Sequence, residues 1–361
     1  MQPSSIRSGV NDQIGHRRLG LRGRSRNRGS NRVEQYSDPK TVEARTTDFL
    51  SIAIGDGARA RMRCQFVYIM GVEGAMHHGV TPVIEALAKR QVDPETGRQY
   101  HVEANPIYLE VGLFGWTSNI QRKWGFTVTP KIDDPLLVQR VVEESCPDDG
   151  NKHVMIEWAS LPSGQEDDWR SYRVHRQHDW QSMSPDEIAN SDKALQHPMN
   201  VTAFVQAYSP YVDIKFLVIH RPFLETIASH HEWDGGALTH SNVIHGFLLI
   251  IRRFLDANPI DKVTGGRLWT LLCLERIMAK NYEHEGDVDL ARQNMLSHVA
   301  EFLGWPVSEC NDCFKKWHES TKDPYKKLGN NADAVLQHAK QLEGVWPPLG
   351  DEGVVGQQCR I

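Results

Sequence analysis

The sequence predicts an α/β fold with a central, mainly parallel β-sheet flanked by helices. Two segments carry this prediction, 66–79 and 214–229, because each contains a continuous apolar run and then changes to a helical pattern. An apolar run without polar alternation is typical of a strand that is covered on both faces. A third apolar run at 267–275 also precedes a helical pattern, and strands that alternate with helices form parallel sheets.

Length and charge limit the class of protein. The chain has 361 residues, which suffices for one large α/β domain, and its formal net charge is −5. A general nucleic-acid-binding protein needs a basic surface, so this acidic balance argues against one. No stretch approaches the roughly 18 consecutive apolar residues of a membrane span, and the chain as given is predicted to be soluble.

Three regions are predicted along the chain: a flexible arm over 1–60, an α/β domain over 61–340 and a tail over 341–361. Residues 1–32 contain eight arginines and a single acidic residue, Asp12, and they lack the apolar core of a secretory signal. A disordered basic arm is the simpler interpretation, and an organelle transit peptide is the alternative.

The first predicted strand ends in a glycine-rich loop, 71–79, which is suited to wrap an anion. The helix that follows has two predicted starts. Thr81 is a good cap, with Pro82 in the first helical position. Alternatively, the helix begins near Met76, where its free N–H groups face the anion, and tolerates Pro82 with a bend.

A helix is predicted next at 135–144, and then a second strand at 153–159, which is short, apolar and flanked by turns. Ligands of open parallel sheets lie at the carboxyl ends of the strands. If this strand is parallel to the first, Glu157, Trp158 and Ser160 are therefore placed for function.

The later strand is predicted to end at Arg221, and Pro222 fits the first position of the helix after it. Ser229 lies two helical turns further on the same face, so Arg221 and Ser229 are predicted to bind one phosphate. Apolar residues at helical spacing predict two further helices, a long core helix over 243–255 and one over 287–303.

These motifs resemble the sulfotransferase family, whose enzymes transfer a sulfuryl group from PAPS (3′-phosphoadenosine 5′-phosphosulfate) to an acceptor. The resemblance rests on the first strand, loop and helix, on Arg221-Pro222 with Ser229 eight residues after the arginine, and on the Phe302-Leu-Gly helix end. It covers roughly residues 61–330. It implies a three-layer, P-loop-NTPase-like fold and a hydroxyl acceptor, which is a carbohydrate, a protein tyrosine or a small molecule.

The resemblance also implies where the donor binds. Arg221 and Ser229 would hold the 3′-phosphate of PAPS, and the first loop would hold its 5′-phosphosulfate. In the family this loop has Pro, then Lys or Arg, Ser, Gly, Thr and Thr, whereas this chain has Glu73-Gly-Ala-Met-His-His78. The basic residue is missing, so the two histidines are expected to supply hydrogen bonds and charge. The predicted loop contacts are Gly74, Ala75, Met76, His77, His78 and Gly79.

Sulfuryl transfer needs a base that takes the proton of the acceptor hydroxyl. Glu157 is the first candidate, because its position resembles that of the Glu used by several carbohydrate and protein-tyrosine sulfotransferases. His230 and His231 are second candidates, and His77 and His78 are expected to assist catalysis at the leaving phosphate. Three lysines after the last predicted helix are candidate contacts for the 3′-phosphate: Lys322, Lys326 and Lys327.

Two alternatives belong to other functional classes. A protein that keeps the sulfotransferase fold but lacks activity would bind a nucleotide or a partner, as the missing basic residue of the loop allows. A P-loop kinase or NTPase needs G-x-x-x-x-G-K-[ST], which 71–78 does not supply. No metal is expected, because the scattered histidines lack the spacing of ligands.

Six cysteines are too few to predict a disulfide scaffold in a chain of this length. Cys310 and Cys313 have the spacing of a redox or zinc half-site, but no second pair completes it, and a structural or incidental role is the simpler interpretation. The compartment stays open between the cytoplasm and, if a membrane anchor precedes Met1, the Golgi lumen.

Overall fold

The computed structural model describes residues 64–105, 133–161, 183–191, 201–229, 236–281, 283–318 and 323–346. All of them belong to one compact unit, 44–361. The predicted arm over 1–60 lies outside the described residues, as does the tail after residue 346.

Five parallel strands form the sheet in the described part of the chain, in the order β2-β3-β1-β4-β5. Every residue of β1 is buried, which explains its uninterrupted apolar run, because β1 is the central strand and both of its faces are covered. The predicted parallel α/β sheet is therefore confirmed. The strands are β1 (Cys64–Val72), β2 (His101–Ala104), β3 (His153–Leu161), β4 (Asp213–His220) and β5 (Trp269–Cys273).

Helices pack on both faces of the sheet, which gives three layers. On one face, Tyr68 packs against Phe204 of α4, and Phe216 packs against Phe254 of α6. On the other, Trp158 stacks on His77 of α1. The helices are α1 (His77–Ala88), α2 (Pro135–Ser145), α3 (Pro185–Asn190), α4 (Val201–Tyr208), α5 (Phe223–Ser229), α6 (Gly236–Ala257), α7 (Glu285–Leu303), α8 (Pro324–Leu328) and α9 (Ala332–Leu342).

The second of the two predicted starts for the first helix is correct. Helix α1 begins at His77 and contains Pro82, so a start at Thr81 is wrong. Proline has no N–H to donate to the His78 carbonyl four residues earlier, and a proline inside a helix costs about 3 kcal/mol. The Thr81 hydroxyl donates to the neighbouring His77 carbonyl at 2.8 Å, and the buried apolar side of α1 offsets the cost of Pro82.

Several further predictions are confirmed, including the helix α2, the strand β3 and its parallel pairing with β1. The Asp134 side chain caps α2 by accepting from the N–H groups of Leu136 and Leu137. Strand β2 was not predicted, because it is a four-residue edge strand whose side chains are exposed or half-buried. Helix α7 starts at Glu285 and ends at Leu303, and the cap residue Gly304 has φ of 67°, the left-handed conformation that glycine favours.

Every described cysteine is disulfide-bonded. Cys64 at the start of β1 is bonded to Cys146 at the end of α2, and Cys310 is bonded to Cys313. The structural or incidental role of Cys310 and Cys313 stays a prediction, since a redox pair at this spacing would form the same bond. The number of cysteines alone gave no sign of the bond between Cys64 and Cys146. No helix within the described ranges is long and apolar enough to cross a membrane.

Candidate functional site

The sheet order places a crevice between the carboxyl ends of β1 and β4. These two strands are neighbours, yet the chain continues from β1 towards β2 on one side of the sheet and from β4 towards β5 on the other. The connections therefore diverge and leave a gap at this edge. Ligands of open α/β sheets bind at such a switch point. The glycine-rich loop after β1 and Arg221 after β4 both lie there.

The two motifs meet at one atom. Arg221 donates from Nη1 to the carbonyl oxygen of Gly74 at 2.8 Å. The Ser229 hydroxyl lies 3.4 Å from the same oxygen and 2.7 Å from the carbonyl oxygen of Thr226. The structure thus brings together Arg221, Ser229 and the loop, although they are about 150 residues apart in the sequence.

Arg221 is a buried cation with unused hydrogen-bonding capacity. Its residue exposure is 9%, and burial lowers the pKa of its guanidinium, an effect that the nearby Glu225 carboxylate opposes. The guanidinium stays charged, since arginine does not lose its proton in proteins. Nε lies 3.5 Å from Glu225 Oε2 but makes no hydrogen bond within the described part of the chain. A guanidinium with donors to spare suits an anion with several oxygens.

The loop after β1 contains two left-handed residues. Gly74 has φ of 89°, and Met76, the residue before α1, has φ of 73°. Glycine adopts this conformation freely, whereas a methionine there costs roughly 1 kcal/mol. Glycine at position 76 would therefore be free of a strain that Met76 carries.

The two loop histidines pack around Trp158. The His77 ring stacks on the indole with an interplanar angle of 3° and a centroid distance of 5.4 Å, and the His78 ring meets it at 4.6 Å and 62°. His77 is buried, with Nε2 4.0 Å from Glu73 Oε2, whereas His78 is exposed at the start of α1. His78 is therefore the imidazole that reaches solvent beside the helix N-terminus.

Glu157 does not join this cluster. Successive side chains of a strand point to opposite faces, so Glu157 lies on the face of Tyr68, away from Trp158 and His77. It is 4% exposed and accepts the Trp158 N–H at 2.9 Å. Burial, followed by the negative charge of Glu157, raises the pKa of Tyr68 well above its usual value.

A histidine–carboxylate pair beside Arg221 was missed by the sequence analysis. His220 ends β4, is 2% exposed, and has Nδ1 3.4 Å from Oε2 of Glu275, which follows β5. The register places His220 on the same face of the sheet as Glu157. The sequence did contain a signal for this pair. His220 ends β4 and Glu275 follows β5, so both lie at the carboxyl edge of the predicted sheet.

A small cavity adjoins Arg221 and His220, with room for little more than one water molecule. Ala75 of the loop borders it on one side, and Leu342 and Trp346 from the end of the chain's described part cover another. Lys327 lies close to Ser229, because its ammonium donates to the carbonyl oxygen of Ala228 at 3.2 Å. Of the three predicted lysines, Lys327 thus adjoins the Ser229 end of the site.

Some predicted residues lie outside the described residues, namely His230, His231 and Lys322. Within the described ranges no group of three or more His, Cys, Asp or Glu side chains is arranged to hold a metal ion. In comparisons with protein-family models, curated proteins and solved structures, nothing matches this chain. Any function of this chain is therefore inferred from the geometry of the site.

Proposed function

We propose that the chain is a PAPS-dependent sulfotransferase of P-loop-like fold that acts on an acceptor hydroxyl. One observation carries the proposal: Arg221 and Ser229 both contact Gly74 of the first loop at the switch point of the sheet. These are the two motifs in which the sequence resembles the family, and their meeting at one edge is what a single donor spanning both would require.

In this proposal the 3′-phosphate of PAPS binds Arg221 and Ser229, with Lys327 as a third contact. A phosphate oxygen replaces the Gly74 carbonyl as the acceptor for both side chains, and it also accepts from Nε of Arg221, which makes no hydrogen bond within the described ranges. The 5′-phosphosulfate lies over the loop at the N-terminus of α1, which favours an anion.

His77 and His78 replace the missing Lys or Arg by donating hydrogen bonds to the leaving 5′-phosphate. His78 supplies a hydrogen bond from the exposed start of α1, and Trp158 orients both rings. The acceptor oxygen attacks sulfur, the bond from sulfur to the 5′-phosphate oxygen breaks, and adenosine 3′,5′-bisphosphate leaves. The acceptor proton passes to a base, for which Glu157 and His220 compete.

The inactive alternative also has an observation in its favour. Segment 71–79 contains no Lys or Arg, and the strained Met76 replaces a glycine. The variant His78→Arg separates the two possibilities, because it adds a permanent charge at an exposed position with ordinary backbone geometry. An inactive nucleotide-binding protein would gain donor affinity without turnover, whereas an enzyme adapted to histidine would change its rate of PAPS cleavage.

The test of the proposed function is calorimetric binding of adenosine 3′,5′-bisphosphate to the purified chain. We expect binding that ATP does not displace and that Arg221→Ala weakens about 30-fold or more, the loss of charge-assisted hydrogen bonds. Arg140→Ala is the matched control, because Arg140 is an exposed arginine on α2, and it should bind as the wild type does. Equal affinity of both variants, or no binding by the wild type, would refute the proposal.

The disulfides support a compartment as well. Disulfides persist in oxidising compartments and are rare in the cytosol, so Cys64–Cys146 favours the lumen of the secretory pathway over the cytoplasm. In that lumen a carbohydrate or a protein tyrosine is the available hydroxyl acceptor. Mass spectrometry of the chain isolated from its native source, alkylated before and after reduction, would find Cys64 and Cys146 protected only before reduction.

A further inference from the structure

Helix α9 and the segment after it border the crevice. It packs against α5 and α6, and its last residue, Leu342, borders the small cavity beside Arg221 together with Trp346. Arg252 of α6 donates from Nη1 to the carbonyl oxygen of Val345 at 3.1 Å, which fastens the segment after α9. The position of α9 therefore decides whether this side of the crevice is open.

Two histidines face each other in the contact between α6 and α9. The rings of His245 on α6 and His338 on α9 are perpendicular, with centroids 5.8 Å apart. Nδ1 of each ring is buried and has no hydrogen-bond partner within the described part of the chain. Burial costs a neutral imidazole little. If both rings were protonated, each would be a poorly solvated charge, and the two charges would repel one another.

Few nearby charged groups would offset the cost of protonating His245 and His338. Of the elements packed against the pair, α4, β1 and the short helix Gly329–Asn331 carry no charged residue. Asp186 favours the protonated form of His245 but only as the smallest of three causes, after burial and the charge of His338. The other charged residues on the packed helices are Glu187 on α3, Glu225 on α5, Arg252, Arg253 and Asp256 on α6, and Asp333 and Lys340 on α9. The further titratable residues of these elements are the buried His240 on α6, Tyr208 on α4 and Tyr68 on β1.

We propose that α9 and the segment through Trp346 form an acid-released lid over the crevice, which is docked while His245 and His338 are neutral and leaves when they become protonated. This inference does not depend on the proposed function, because it concerns access to the crevice whatever ligand binds there. Release would uncover the cavity at Arg221 and His220.

The direction of the pH dependence follows from the docked state. Burial, then the charge of His338 on His245, lowers the pKa of His245 from 6.5 to about 4, and burial lowers the pKa of His338. In the proposal, α9 supplies part of this burial and brings His338 up to His245, so protonation of either ring opposes docking. Docking should therefore be unaffected by these two groups above about pH 6.5 and should weaken towards pH 4, by about tenfold or more between pH 7 and pH 5.

Hydrogen exchange of the full chain at pH 7 and pH 5, corrected for intrinsic exchange, tests the lid. We expect the amides of 333–346 to exchange about tenfold faster at pH 5, while those of β1 and β4 keep their protection. The double variant His245→Gln/His338→Gln should lose most of this acid response. His298→Gln is the control, because His298 on α7 is also a half-buried histidine whose pKa burial lowers, but it contacts Thr270 instead of α9.

Three outcomes would overturn the proposal. Equal protection of α9 at the two pH values in the wild type would show that it stays docked. Loss of protection in β1 and β4 together with α9 would indicate general acid unfolding. An unchanged acid response in the double variant would assign the opening to other groups, and His245→Gln and His338→Gln alone serve if the double variant does not fold.

Discussion

The turns after β1 and β4 meet at the same crevice but differ in how their residues are held. After β4, Arg221 and Ser229 are set by a strand end and a short helix, so their relative position follows from spacing along regular structure. After β1, the loop depends on two left-handed residues and on Trp158 from a third strand. The positions of residues on strands and helices can be predicted from a sequence, whereas positions that depend on loop conformation cannot.

The largest expected effect tests whether the end of β4 also supplies the proton acceptor. If His220 takes the proton, His220→Gln and Glu275→Gln should slow cleavage of PAPS about 100-fold or more, because the general base is lost or loses its partner. Glu157→Gln should then have little effect. Binding of adenosine 3′,5′-bisphosphate should survive in all three, which separates a chemical role from a loss of folding.

The opposite result would assign the general base to β3 instead of β4. If Glu157→Gln abolishes cleavage and His220→Gln leaves it intact, the base comes from β3, and the pair of His220 with Glu275 is structural. His298→Gln is again the matched control, since it removes a hydrogen-bonded histidine outside the crevice.

An intermediate effect compares the two turns as anion ligands. Arg221→Lys keeps the charge but loses the planar fork of donors, and we expect it to weaken binding of adenosine 3′,5′-bisphosphate about tenfold. His78→Ala should weaken binding only about threefold, because one exposed imidazole makes a single hydrogen bond. Titration calorimetry at fixed pH and salt measures both. A larger loss for His78→Ala would place the main anion contact in the loop after β1.

The smallest effect concerns the strain of the loop. Met76→Gly and Met76→Ala lose the same packing, but only glycine adopts φ of 73° freely, so Met76→Gly should be about 1 kcal/mol more stable than Met76→Ala. Gly74→Ala, at φ of 89°, should destabilise the chain by a similar amount. Urea unfolding measures the three values, and equal stability of the two Met76 variants would mean that the loop relaxes.

The sequence predicted what local physics determines. The apolar runs of β1 and β4 predicted buried parallel strands, and the sheet confirms them. The shared phosphate of Arg221 and Ser229 stays a prediction, and the contact of both side chains with the Gly74 carbonyl was not predicted. The sequence left open the start of α1, because the cost of Pro82 depends on how well the helix packs. It missed β2, since a short polar edge strand has no pattern of its own.

Contacts between residues that are distant along the chain could not be predicted from the sequence either. His220 and Glu275 meet only because β4 and β5 are neighbours, and His245 meets His338 only because α9 folds back on α6. Neither adjacency follows from periodicity or spacing, because both depend on the order of strands and on where the end of the chain docks.

The bond between Cys64 and Cys146 encloses β1, α1, β2 and α2, including the whole loop 73–76, in a covalent ring with a sequence separation of 82. A ring of that size lowers the entropy of the unfolded chain and so raises the free energy of unfolding by about 4 kcal/mol. That is a large share of the free energy of unfolding of an ordinary domain. A laboratory that produces the chain in a reducing cytosol would therefore start from a weakened protein. Expression in an oxidising host is part of any fair assay of its activity.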